Sequence, residues 1–564
     1  MKRYLTFLCL CIISVCTQAQ ETALNYLQTR TMLTEQGDTY IEQVRYYDGL
    51  GRPFQKMTRN YPFAETDSCL LTVQGYDQTG RPDIQYLPMP RKEKYLDVPN
   101  FSLSSQFYYK DSRPYISTEY EKSPLNRIIK MTKPGEDWNG HSKTIVYGTN
   151  ADAGNWCCAY YYIDAAGKLA RNGNYQAGLL EATEETDEDG HVSYTFTNMQ
   201  GKTILTREMD GTVSHDTYYV YDDYGNLRYV LQPGYQDEAD LSLHAFCYTY
   251  DERGRCTELK KPGTGTIRYG YGNNDLMLFS QDEKQQAANL MTFYLYDKMH
   301  RLVVKGECEI PLNFAGAEQA TICTYTGPGT GIDGCGYTAN FNFPSPVLQL
   351  VNFYDDYSFR TGTGFNNTNF PAPVGNYSCG RKTGSIVYVP GQDTRLYKAY
   401  YYSMRGNLIR EVSSNLRGGY DTTETTYSFT DRPSHSTHTH TAQNAPTLTE
   451  AYDYTYDHAD RLTKVEHTFG GVKRTLLAHT YDELCRLSHT DYHGSSANRL
   501  TYSYNTRGWL TAIISSPLAS ITDYRTTSQR WVRSSRSGCH ERWLSASSPS
   551  PNNGQWKAEG RPSN

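Results

Sequence analysis

Along most of the chain apolar and polar residues alternate with a period of two, as in Thr217-Tyr218-Tyr219-Val220-Tyr221 and Tyr452-Asp453-Tyr454-Thr455-Tyr456. Alternation of that kind puts every second side chain on one sheet face and predicts strands with one buried side. The alternating runs end in a recurring phrase: an aromatic, Asp or another polar residue, a short spacer, Gly, a basic or polar residue, and an aliphatic. It stands as Tyr47-Asp48 with Gly51-Arg52 and as Tyr76-Asp77 with Gly80-Arg81. Further copies are Tyr221-Asp222 with Gly225-Asn226-Leu227, Tyr250-Asp251 with Gly254-Arg255, Tyr296-Asp297 with Arg301-Leu302, Tyr456-Asp457 with Arg461-Leu462, and Tyr481-Asp482 with Arg486-Leu487. Degenerate copies sit at Ile163-Asp164, Phe196 with Gly201-Lys202, Tyr402 with Gly406-Asn407-Leu408, and Tyr504 with Gly508-Trp509-Leu510.

Each part of the phrase has a mechanical reason. Asp accepts a backbone hydrogen bond that opens a type I turn, and Gly supplies the positive φ that closes a short hairpin with a bulge. The phrase therefore predicts a hairpin corner whose Asp and Arg are structural. Anchors recur after 25 residues from 196 to 221, 29 from 221 to 250, 25 from 456 to 481 and 23 from 481 to 504. A two-stranded unit cannot bury its apolar face alone, so units of that length must stack into one long spiralling sheet, and the expected class is all-β. Helical periodicity is scarce; the best candidate, residues 282–291, reads equally well as a loop.

The repeated phrase resembles the YD repeat of RHS proteins, of toxin-complex shell subunits and of teneurins over roughly residues 160–306 and 396–513. That resemblance implies repeats wound into a β-shell around a cargo. The segment from about Leu24 to Asn150, with Val44 to Pro53 and Pro88-Met89-Pro90, resembles the N-terminal domain of unknown function that precedes RHS regions in Bacteroidetes proteins.

The N-terminus reads as a signal peptide over 1–19: Lys2 and Arg3, then an uncharged, mostly apolar run from Leu5 to Val15, then small residues at Thr17 and Ala19. Cys16 invites a lipid-anchor reading, but Val15 stands where a small residue is wanted. No later stretch approaches the ~20 apolar residues of a membrane helix. The expected organisation is an N-terminal β-rich domain over 20–155, repeats over 156–306, a Gly/Pro/Asn-rich insertion over 307–395, and repeats again over 396–513. In the insertion a loop-rich excursion with some packed strands is expected, from Phe341, Phe343, Val347, Leu348, Leu350, Val351 and Phe353. Past Ile513 the alternation stops and Trp531, Trp543 and Trp556 crowd among Ser and Arg. Residues 514–564 are expected to be disordered, the product of a shifted reading frame near 515–524.

Composition supports strands and turns: 51 Tyr against 18 Phe, 45 Gly and a mean hydropathy of −0.68. The formal net charge of −6 has no basic runs, which speaks against nucleic acid as a partner. Of 14 cysteines three lie in the signal; the remaining 11 follow no disulfide or zinc spacing.

Candidate chemistry is thin. His435, His438 and His440 form one dense cluster, with His438 and His440 on one strand face and His435 on the other; a metal site would need a third ligand. Asp187-Glu188-Asp189-Gly190 opens like a calcium loop but lacks the later bidentate Glu. Residues 327–336 are glycine-rich without the Lys-Ser/Thr of a phosphate loop. Ser214, His215 and Asp216 are consecutive and cannot form a relay on a strand. Cys157-Cys158 reads as two ordinary thiols before a vicinal disulfide.

No catalytic set, cofactor site or metal site is expected. Two functions remain: an exported, non-enzymatic shell or carrier, truncated before a C-terminal effector encoded downstream; or a surface module whose exposed tyrosines stack on glycans.

Overall fold

The computed structural model describes residues 24–61, 69–309, 323–361, 364–366, 368–515 and 522–523. Residues 1–19, expected to be a signal peptide, and most of the tail therefore lie outside the described residues. The architecture is all-β. Among the described residues, 33 strands belong to one antiparallel sheet. It is a meander with three interruptions: elsewhere strands pair with their neighbours in the chain, from Asn25–Met32 on Tyr40–Tyr47 to Leu510–Ser515 on Thr522–Asp523. Strand character thus runs slightly past Ile513.

Three interruptions stand out. Cys69–Tyr76 pairs through one end with Met89–Arg91 and through the other with Pro82–Tyr86, so the sheet forks there. Glu181–Thr186 pairs back to Lys143–Thr149, leaving the hairpin Ala159–Ile163 and Leu169–Asn174 outside the ladder. Leu302–Glu309 pairs directly with Val347–Tyr354, leaving a small hairpin, Thr324–Tyr325 and Tyr337–Thr338, to lie over it. The span 307–395, expected as an insertion, thus contains two central strands, Val347–Tyr354 and Lys382–Tyr388.

The corners set the curl. A register shift falls next to the corner tyrosine again and again: at Tyr46/Tyr47, Gly75/Tyr76, Val220/Tyr221, Thr249/Tyr250, Leu295/Tyr296, Thr455/Tyr456 and Thr480/Tyr481. Each shift is a β-bulge, which bends its strand and raises the local right-handed twist.

Helix is confined to short pieces. The longest, Val98–Tyr109, was not expected; Asp97 caps it by accepting from the Asn100 N–H, Pro99 sits in its first turn, and left-handed Lys110 ends it. Of the 282–291 candidate only Glu283–Ala287 is helical, held by a capping box between Asp282 and Gln285, and Leu290–Tyr296 is already strand.

Buried side chains gather in three clusters. The first, around Met57, Leu71, Met89 and Phe101, lies under the N-terminal helix. The second, around Phe196, Leu205 and Leu231, lies under the separate hairpin, and the third, around Phe293, Val351, Phe353 and Phe370, under the 323–370 excursions. The last repeats touch the N-terminal part of the chain: the Arg507 guanidinium lies 3.8 Å from the Trp138 ring and 4.2 Å from Trp509, and Tyr108 Oη, on the helix Val98–Tyr109, donates to Glu483.

Candidate functional site

The feature that recurs with constant geometry is the corner itself. At the first, Asp48 Oδ1 accepts from the N–H groups of Leu50 and Arg52, both at 2.9 Å, and Oδ2 accepts from Arg52 Nε at 2.8 Å. The Asp48 N–H donates to the Arg52 carbonyl and the Gly51 N–H to the Asp48 carbonyl, each at 3.0 Å. Asp77–Arg81, Asp251–Arg255, Asp297–Arg301, Asp457–Arg461 and Asp482–Arg486 repeat the Oδ2···Nε bond at 2.7–2.8 Å. At Asp222 the basic partner is replaced by Asn226, whose side chain donates at 3.2 Å.

The residue closing the turn has positive φ at Gly51, Gly80, Gly225 and Gly254, as expected. Three corners keep the same conformation without glycine, through His300, Asp460 and Cys485. The local hydrogen bonds therefore dictate the backbone even where the residue disfavours it.

The corner tyrosines reach back to the preceding corner. Tyr76 Oη donates to the Pro53 carbonyl at 2.8 Å, and its ring lies 4.6 Å from the Arg52 guanidinium. Tyr221 reaches Thr203 under Lys202, Tyr250 reaches Leu227, and Tyr296 reaches Met277. Tyr456 reaches Pro433, Tyr481 reaches Leu462 under Arg461, and Tyr504 reaches Leu487 under Arg486. Each tyrosine thus ties one hairpin to the one before it through a hydrogen bond, and Tyr76, Tyr221, Tyr481 and Tyr504 add a cation–π contact with the basic residue of the preceding corner. Some arginines also reach forward: Arg81 Nη1 donates to the Glu121 carbonyl at 3.0 Å, and Arg255 Nη1 to the Gly272 carbonyl at 2.8 Å.

The structure adds corners that the phrase did not reveal. One is Tyr120-Glu121 closed by Arg127. Another is split: Tyr354-Asp355 is completed by Gly380-Arg381, with the Asp355 N–H donating to the Arg381 carbonyl at 3.0 Å and the Gly380 N–H to Asp355 Oδ1 at 2.7 Å. The split corner still sits in the ladder, for Tyr354 Oη donates to the Leu302 carbonyl and Arg301 pairs with Asp355 at 2.6 Å.

The electrostatics follow from these bonds. Backbone donation from Arg52 and Arg81 holds the Asp48 and Asp77 carboxyls below the usual range. The Arg127 guanidinium pulls Glu121 down to about 2. Burial pushes the Tyr250 hydroxyl up to about 12.

The remaining candidates resolve into structural roles. Asp187 accepts from the N–H groups of Asp189 and His191, so the calcium-like segment is another corner. Asp216 is buried against Arg207, Nε to Oδ1 at 2.7 Å, while Ser214 and His215 are exposed. Cys157 and Cys158 are free thiols, and burial pushes Cys158 up to about 12. His435 Nδ1 lies 2.6 Å from Asp453 and His438 Nδ1 3.3 Å from Glu450. No group of His, Cys, Asp or Glu among the described residues is placed to hold a metal.

A family profile described as a domain of unknown function, DUF6443, matches residues 20–151. No curated protein matches the chain. Among solved structures, TcdB2-TccC3 without its hypervariable C-terminal region is similar at 14% identity and a TM-score of 0.54, over 86% of this chain and 21% of that one. A variant of the Photorhabdus luminescens Tc holotoxin pore gives 14% identity and a TM-score of 0.55, again over 86% and 21%. The chain spans about a fifth of the length of either. Together with the ladder of corners, these likenesses show that the chain shares the antiparallel repeat fold found in the TcdB2-TccC3 structures.

Proposed function

We propose that the chain is a non-enzymatic, exported scaffold: a stretch of carrier wall of the kind that encloses or presents an effector encoded downstream. The observation that carries this reading is the ladder. Nearly every conspicuous Asp, Arg and Tyr of the repeat is engaged either in closing its own corner or in joining one hairpin to the next, which is how a wall is built. The N-terminal charge and apolar run, Lys2-Arg3 followed by Leu5 to Val15, supports export. The DUF6443 match over 20–151 fits an N-terminal domain set before such repeats.

The glycan reading of the repeat tyrosines is weaker than the sequence implied. Tyr76, Tyr221, Tyr481 and Tyr504 present ring faces to Arg or Lys and give their hydroxyls to backbone carbonyls, so these rings are already occupied.

Limited proteolysis of the full chain tests the scaffold: a large β-rich fragment should persist long after a denatured control is gone. Digestion at the rate of the denatured control would overturn it. Export is tested separately by fractionating cells that express the chain with and without residues 1–19, the deleted form being expected to stay in the cytoplasm.

A further inference from the structure

The corners that open on a tyrosine all stand at one rim of the sheet, because an even number of strands separates each from the next. Leu227–Leu231 and Ala245–Tyr250 lie between the corners at Asp222 and Asp251, and Leu487–Tyr492 and Arg499–Tyr504 between those at Asp482 and Asn505. The opposite rim carries the remaining turns, among them 133–142, 187–191, 415–419 and 470–471. Late in the chain the two rims meet. Arg507, the tip residue just before positive-φ Gly508, holds its guanidinium 3.8 Å from the ring of Trp138, in an opposite-rim turn, and 4.2 Å from its own neighbour Trp509. Lys133 of that turn lies 5.5 Å from the Trp509 ring and pairs at 2.8 Å with Glu188, also of the opposite rim. At the corner before, Glu483 accepts from Tyr108 Oη. A corner tip seated on a turn of the other rim is therefore a contact this sheet already makes with itself.

At earlier corners the same tip is large, apolar and uncovered. The residue just before the positive-φ position is Leu50, Leu125, Tyr224 or Met299, and Met199 and Met404 stand at the tips of the corners opened by Asn198 and Ser403. These six side chains are 67–94% exposed. A single exposed apolar side chain is ordinary. Six at the tips of one rim, with successive corners two strands or about 10 Å apart, make an extended apolar edge. The opposite rim matches it at the far end of the chain, where Leu416, Leu448, Phe469 and Val472 are 48–69% exposed. Phe469 and Val472 face each other across the Gly470-Gly471 turn.

We propose that the uncovered corner rim is an interaction surface for the opposite rim of a second copy of this chain, so that copies stack rim on rim. The contact at Arg507 and Trp138 supplies the pattern, and the corner rim continues from it without a break in the ladder. What changes along the rim is the tip: a guanidinium where the chain closes on itself, methionine, leucine and tyrosine where it would meet a copy. The two surfaces are different, so the contact is heterologous and each added copy leaves one rim of each kind free. The inference rests on the rims alone and stands whether or not the chain carries an effector.

Sedimentation velocity on the full chain tests this. Its mean mass should climb with concentration between about 1 and 100 µM and pass that of a dimer. A corner-rim variant, Tyr224→Ser with Met299→Ser and Met404→Ser, should associate at least about tenfold more weakly. So should an opposite-rim variant, Leu448→Ser with Phe469→Ser and Val472→Ser. Mixed in equal amounts, the two variants hold one intact rim of each kind and should form pairs and nothing larger. Every changed position is exposed, so thermal midpoints should match that of the unaltered chain; Tyr224→Lys and Phe469→Lys, as single changes, give a second pair of variants read in the same way. A chain that stays monomeric up to about 100 µM would overturn the proposal. So would association that neither set of changes weakens, or a mixture in which no pairs form.

Discussion

Residues 290–412 and 420–515 are built from the same corner, yet they bury side chains very differently. In the first region Phe293, Val304, Val351 and Ala399 are inaccessible to solvent, and Tyr337, Phe343, Phe359 and Phe370 are laid on the sheet by the excursions between strands. In the second, Val465 is the one buried apolar residue and Thr490 the one buried polar residue among those described. Its sheet faces carry polar pairs such as His435 with Asp453 and Arg499 with Asp491, the latter at 2.6 Å. Corner and ladder geometry is the same in both, so the ladder fixes register and connection without a core. Depth of burial is supplied by whatever covers the sheet.

The comparison breaks most readily at the core. Phe293, fully buried and stacked on Phe343 at 4.4 Å, should cost about 3–5 kcal/mol as Phe293→Ala, read by urea denaturation. Val465→Ala should cost far less; equal losses would mean that the second region has a core after all. Arg461→Ala removes the bond to Asp457 and the contact under Tyr481, an expected loss of about 1–2 kcal/mol. Hydrogen exchange should then quicken along Leu462–Phe469 and remain slow along Val347–Tyr354.

Acid should sharpen the contrast. Burial pushes the Asp457 carboxyl up, but its hydrogen bonds from the Arg461 side chain and backbone outweigh that and hold it below the ordinary value. His435 and Lys473 lower Asp453, and Arg499 lowers Asp491. A carboxyl lowered on folding contributes stability above its unfolded pKa, about 3.9, and loses it as pH falls through the folded value. Below about pH 4 protection should therefore fade first in 420–515, followed by exchange at stepped pH. The smallest effect expected is a gain: Cys485→Gly relieves a positive φ of 66° and should add about 1 kcal/mol, seen as a raised thermal midpoint.

The parts legible in the sequence are those decided within five residues. Asp297 and Arg301 meet because the turn between them is local, and so Tyr-Asp…Arg is readable as a corner. The partner of Tyr481 was not readable, because Leu462 and Arg461 belong to the preceding hairpin and nothing near Tyr481 names them. The corner at Asp355 was hidden for a plainer reason: its closing Gly380-Arg381 stands far along the chain. The helix Val98–Tyr109 escaped because its apolar residues form no stripe, Phe101 being buried while Leu103 and Phe107 are exposed. The signal was there in Asp97 and Pro99, a cap and a first-turn proline.

The interrupted corner at Asp355 has an evolutionary consequence. Closing a longer flexible loop adds only about 0.6 kcal/mol for each doubling of its length, and here the two flanking strands still meet in register. New sequence can thus be grafted at such a bend without disturbing its neighbours in the array. Diversification of a protein of this kind should concentrate at its bends, where added segments acquire new faces while the underlying weave is inherited unchanged.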